Sequence, residues 1–115
     1  MATPESKVKA KIKRTMKKNH PGSWSFMPVQ MGYGQHGIPD HIYCVPMTIR
    51  PEHVGKTIGV FVGIEAKADS GRLSRHQAKQ INDIREATGL AFVVRGVGER
   101  FAITMARLNR LIKGQ

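Results

Sequence analysis

The sequence predicts an α/β (α+β) fold, a mixed central sheet flanked by helices in the order αβββαβα. Three observations carry that expectation. Val8, Ile12 and Met16 recur every four residues, and Phe101, Met105, Leu108 and Ile112 every three or four, which is the spacing of one helix face. The runs GVFVGIEAKA and LAFVVR are almost wholly apolar, which marks strands, the first of them central and covered on both faces. No internal repeat or low-complexity linker separates these pieces, so they read as one domain over residues 1–115.

Each element has a local reason. Thr3-Pro4-Glu5 offers a hydroxyl cap, a proline at the first helical position and a first-turn carboxylate, and His20-Pro21-Gly22 ends that helix. Residues 24–31 read as a strand, kept to an edge or a bulge by Pro28. A Gly-rich loop over 32–37 leads to a second strand over about 40–49, and a turn with Pro51 and Gly55 follows. The third strand, 58–68, is apolar on both faces and is expected to be central and covered on both sides. Ser74 caps a helix that Gly89 ends near residue 88, residues 90–95 form the fourth strand, and the last helix runs to the C-terminus.

Composition narrows the partner. Nineteen Lys and Arg against eight Asp and Glu give a net charge of +11, a field that attracts polyanions. Nucleic acid is the first candidate, ahead of an anionic membrane surface and an acidic protein. Seven of the basic residues fall between Lys7 and Lys18 and twelve between Arg50 and Lys113, so the charge is not confined to a tail. The apolar runs are too short for a transmembrane helix, and the Lys-rich N-terminus lacks the apolar stretch of a signal peptide. Cys44 has no second cysteine to pair with, which fits a soluble protein of a reducing compartment, the cytoplasm.

Two motif matches fail on context. Gly32-Tyr33-Gly34-Gln35-His36-Gly37 spells a dinucleotide fingerprint, but Ile38-Pro39-Asp40 and a strand follow where a helix is required. Gly55-Lys56-Thr57 resembles the end of a P-loop, but Arg50 stands where its first glycine belongs. No nucleotide cofactor is expected. The histidines are scattered, and His36 and His41 lack ligand partners for a zinc site. Trp24 and Tyr33 could stack on bases, although a core position suits Trp24 better.

Glu65-Ala66-Lys67 is the informative oddity. Side chains alternate along a strand, so Glu65 and Lys67 share a face, about 7 Å apart at their bases. In a sheet centre that pair must be compensated or bind something, whereas at a strand end it costs little. Asp40, entering the preceding strand after Pro39, can reach the same place if the two strands are neighbours. Two carboxylates suit Mg²⁺, and a lysine beside such an ion can act on its water.

A proline-aspartate followed by Glu-x-Lys on the next strand resembles the PD-(D/E)XK nucleases, in particular the virus-type replication-repair nuclease (VRR-NUC) domain in its stand-alone, phage-like form. The resemblance spans Glu5 to about Arg95. It rests on Glu5, Gly37-Ile38-Pro39-Asp40, Glu65-Ala66-Lys67, and Gly71-Arg72-Leu73-Ser74 followed by Gln77; His41 departs from the aliphatic residue usual after the aspartate. It implies a restriction-endonuclease-like core. It also implies Mg²⁺, replaceable by Mn²⁺, held by Asp40, Glu65 and the main-chain carbonyl of Ala66, with Glu5 reaching it directly or through water. Lys67 would act on the nucleophilic water, and Gln77 would orient Lys67 or that water. Read without the resemblance, Glu5 is a helix-dipole carboxylate, and Ser74 with Gln77 is a capping box.

The expected activity is therefore metal-dependent hydrolysis of DNA phosphodiester bonds, structure-selective in the manner of a Holliday-junction resolvase. Lys9, Lys11, Lys13, Lys17, Arg72 and Arg75 would hold the DNA. The alternatives are a non-catalytic basic nucleic-acid-binding protein, and a nicking or restriction-type nuclease acting on linear duplex. Paired nicking of branched DNA would call for a symmetric homodimer, built on the strand with Trp24, Phe26 and Val29 or on the last helix with Ile103 and Leu111.

Overall fold

The computed structural model describes residues 3–29, 37 and 39–114. The fingerprint-like segment 32–36, with Tyr33 and His36, and the predicted strand positions 30 and 31 lie outside the described residues. The fold is mixed α and β: three helices, four short strands and a 3₁₀ turn follow one another in the predicted order αβββαβα. The chain forms two compact units, Met1–Val54 and Gly55–Gln115. No helix among the described residues is long and apolar enough to cross a membrane.

In the first unit, α1 runs over Pro4–Asn19. The Thr3 hydroxyl accepts from the Ser6 N–H at 3.1 Å, so the predicted cap forms with Pro4 directly behind it. Lys17 and Lys18 complement the helix dipole in the last turn. The described residues leave most of the apolar stripe uncovered: Val8 is 58 % exposed and Ile12 37 %, while Met16 is half-buried. Strands β1 (Trp24–Phe26) and β2 (Ile42–Cys44) pair antiparallel, with Trp24 opposite Cys44. Both are far shorter than the predicted 24–31 and 40–49. Pro28 and Pro46 lie just past their ends, and a residue without an N–H cannot extend a ladder. Cys44 is the buried residue of this pair.

The second unit is a β–α–β crossover with a further helix. Strands β3 (Val62–Lys67) and β4 (Leu90–Arg95) pair in parallel, Glu65 beside Val93 and Lys67 beside Arg95. Helix α2 (Arg75–Glu86) makes the crossover, and α3 (Glu99–Lys113) follows β4. A Cβ placed on Gly63 would stand 3.2 Å from Ile84 Cδ1, so α2 covers the face that carries Gly63, Glu65 and Lys67. Phe92 and Val94 project to the other face, where α3 packs on β4 and buries Leu108.

Three expectations need correction here. The described strands make two two-stranded sheets, where one mixed sheet was expected. β3 starts at Val62, and Ile64 is 51 % exposed, because α3 lies along β4 and leaves that face of β3 open. The terminus of α2 is formed by Thr88, which takes the left-handed φ of 65°, rather than by Gly89. Gly89 instead donates its N–H to the Ile84 carbonyl, and Thr88 donates to Arg85, the paired bonds of a helix stop.

Candidate active site

β3 delivers Glu65 and Lys67 to the α2 side of the sheet, as strand alternation requires. Their charged ends are 4.0 Å apart, with side chains 34 % and 21 % exposed. Phe61 and Lys67 carbonyls accept from the N–H groups of Leu90 and Gly96, so the odd-numbered residues of β3 bond to β4. By the same alternation the Ala66 carbonyl points to the opposite edge, where no strand pairs among the described residues.

Gln77 completes the arrangement from the first turn of α2. The Ser74 hydroxyl accepts from the Gln77 N–H at 3.1 Å, and the Gln77 side-chain oxygen accepts from the Ser74 N–H at 2.9 Å. This capping box leaves the amide nitrogen facing β3, where Nε2 donates to Glu65 Oε1 at 2.7 Å. The cap and the contact with the carboxylate are thus one feature. Among the described residues the side-chain partner of Gln77 on β3 is Glu65, and no hydrogen bond from Gln77 to Lys67 is seen. Among the described residues both partners of Glu65 meet Oε1, and none is seen at Oε2.

The loop before α2 is pinned from behind. Arg100 Nη1 donates to the Asp69 carbonyl at 2.8 Å, and Arg95 Nε donates to the Gly71 carbonyl at 3.4 Å. These bonds tie the segment leading to Ser74 onto β4 and α3, which positions Gln77. Arg72 and Arg75 are exposed on this loop and the start of α2. Beside Glu65 and Gln77 lies a cleft of about 280 Å³, with Gly63, Ile81 and Ile84 as its apolar wall and His76 also lining it. Sequence reasoning passed over Ser74 and His76 as site residues; the Ser74-x-x-Gln77 pattern was the available signal for the first, and nothing marked the second.

Glu5 and Asp40 belong to the first unit. Lys9 Nζ is 3.9 Å from Glu5 Oε1 and 4.0 Å from Asp40 Oδ1, so one ammonium group serves both carboxylates. These side chains are exposed (76 % for Glu5, 54 % for Asp40), and each pair contributes at most about 1 kcal/mol. Lys9 is therefore engaged with acids, whereas Lys11, Lys13 and Lys17 make no ion pair among the described residues. Of the predicted metal ligands, Glu5 and Asp40 lie in the first unit, and Glu65 and Ala66 in the second. Among the described residues no three His, Cys, Asp or Glu side chains gather as a metal-binding group. His41 Nδ1 is buried without a hydrogen-bond partner among them, its ring stacked on Tyr43 with centroids 6.3 Å apart.

Comparison with protein-family models, with curated proteins and with solved structures returns no match for this chain.

Proposed function

We propose that this chain is a metal-dependent nuclease acting on DNA, with Glu65, Ala66, Lys67 and Gln77 at its centre. The observation that supports the reading is the Gln77–Glu65 hydrogen bond beside Lys67. A carboxylate is held by a helix cap on one oxygen, while the other oxygen has no partner among the described residues. Glu65 Oε2 and the Ala66 carbonyl are hard oxygen donors, which fits Mg²⁺ or Mn²⁺ with water filling the remaining positions. A metal bound there supplies positive charge to a scissile phosphate and acidity to a coordinated water.

The protein's own groups have separable tasks in this reading. Gln77 keeps the Glu65 carboxylate in one orientation, which lowers the ordering cost of binding an ion. Lys67, 4.0 Å from the same carboxylate, would hold the attacking water and offset charge building on the phosphate. The resemblance of Pro39-Asp40 and Glu65-Ala66-Lys67 to the VRR-NUC pattern implies that Asp40 would be the second carboxylate and that Glu5 would reach the ion directly or through water. Lys11, Lys13, Lys17, Arg72 and Arg75 supply backbone contacts that read shape more than sequence. Paired cuts in a branched substrate would be made by a symmetric dimer.

The net charge of +11 alone would equally suit a non-catalytic binder. The separating experiment is a cleavage panel of linear, flap and four-way DNA with Mg²⁺ or Mn²⁺, run on the wild type and on Glu65→Gln, Asp40→Asn and Lys67→Ala. The reading expects metal-dependent cleavage that each substitution abolishes or nearly abolishes, with DNA affinity in metal-free buffer largely retained. No cleavage of any substrate by the wild type leaves the binder as the function, and full activity of Glu65→Gln removes Glu65 from the site.

A further inference from the structure

The first unit contains a cleft of about 380 Å³ that the nuclease reading touches only through Lys13 and Lys17. It is lined by α1, by the turn that follows it, and by residues of and beside β1 and β2, among them Lys13, Lys17, His20, Ser23, Met27 and Tyr43. Lys13 and Lys17 are one helical turn apart, so their side chains leave α1 on the same side. Neither makes an ion pair among the described residues, and no carboxylate lines the cleft. Ser23 Oγ is buried and has no hydrogen-bond partner among them. A buried hydroxyl left this way costs free energy, which an acceptor brought to it by a ligand in the cleft would recover.

The cleft therefore presents donors and positive charge with no anion to match. The carbonyl end of α1 opposes an anion weakly, and the paired ammonium groups outweigh it. The shape selects among anions. A phosphodiester within a strand continues on both sides and suits an open surface, whereas a concave site admits the end of a chain. A terminal phosphate carries a charge of about −1.5 to −2 and so matches two lysines better than a diester does. Met27 and Tyr43 give the attached sugar and base an apolar, partly aromatic wall.

We propose that this cleft binds the terminal phosphate of a nucleic-acid strand. The proposal rests on nucleic acid being the partner of this chain, and it is independent of cleavage. Lys13 and Lys17 neutralise the phosphate, Ser23 donates its hydroxyl hydrogen to a phosphate oxygen, and Tyr43 lies along the terminal nucleotide.

The test is fluorescence anisotropy in metal-free buffer with labelled single-stranded DNA whose 5′ end, or in a second pair whose 3′ end, carries either a phosphate or a hydroxyl. One phosphorylated end should bind about tenfold more tightly than its hydroxyl counterpart, the worth of one charge-assisted hydrogen bond. Ser23→Ala and Lys17→Gln should each bring that ratio close to unity, while Lys113→Gln, on the exposed end of α3, leaves it unchanged. Ser23→Ala should not lower the melting temperature, because it removes a hydroxyl that has no partner among the described residues. Equal affinity for phosphate and hydroxyl at both ends overturns the proposal, as does a ratio that survives both substitutions. Failure of every oligonucleotide to bind would remove nucleic acid as the partner, and this site with it.

Discussion

Three hydrogen bonds of Gln77 can be taken apart experimentally. Its N–H and side-chain oxygen form the capping box with Ser74, and its Nε2 holds Glu65 Oε1 at 2.7 Å. A hydrogen bond to a charged group contributes about 1.5–3 kcal/mol. Glu65 is 34 % exposed, so water competes for it and about 1–1.5 kcal/mol is the reasonable share. Loss of the side-chain half of the cap adds about 0.5–1 kcal/mol. Gln77→Ala should therefore destabilise the protein by about 1.5–2.5 kcal/mol. Gln77→Glu keeps an acceptor for the Ser74 N–H and places a carboxylate at a helix N-terminus, but sets it against Glu65. The cap should survive in that variant and the Glu65 contact should not. Urea denaturation of Gln77→Ala, Glu65→Ala and the double variant isolates the contact as a coupling energy, expected near 1–1.5 kcal/mol. Ser74→Ala with Glu65→Ala is the control, and should couple weakly because Ser74 bonds Gln77 and not Glu65. A Gln77–Glu65 coupling below about 0.3 kcal/mol would refute the reasoning, leaving Gln77 as a cap alone.

Two further outcomes follow from particular residues. Gly96 has φ +68° and lies against Asp69, whose carboxylate oxygens would be 2.5 and 2.6 Å from an added Cβ. Asp69 can rotate away, so the backbone penalty dominates and Gly96→Ala should cost about 1–2 kcal/mol by urea denaturation; a neutral result refutes the conformational argument. Burial pushes the Cys44 thiol above its usual 9.0. The unfolded chain then ionises first, so this contribution to stability is complete below about pH 9 and falls as pH rises toward the folded value. The wild type should accordingly lose more stability than Cys44→Ala between about pH 8 and about pH 10, and its native thiol should alkylate slowly. Equal losses in the two proteins would show that burial does not govern this thiol.

Local chemistry wrote much of this molecule into its sequence. Thr3 and Pro4 start α1 because a hydroxyl cap and a fixed proline φ act within one turn, and Ser74 starts α2 for the same reason. Strand β4 matches its predicted bounds, since LAFVVR is apolar up to Arg95 and the turn before it is short. The same-face placement of Glu65 and Lys67 follows from strand alternation alone. Other features depend on partners that are distant in the chain. Whether β3 is covered on both faces depends on where α3 lies, and α3 packs on β4, leaving Ile64 half-exposed. Strand pairing divides β1 and β2 from β3 and β4, because each ladder needs N–H and C=O groups from remote segments, and Pro28 and Pro46 remove donors beside β1 and β2. Thr88 rather than Gly89 takes the left-handed turn because the bonds from Thr88 to Arg85 and from Gly89 to Ile84 set the register. The sequence by itself determined the order of the elements, their caps, the positive charge and the chemistry available on β3. Only the tertiary structure decided that Gln77 holds Glu65, because that bond joins residues twelve apart and forms only when the start of α2 is packed against β3.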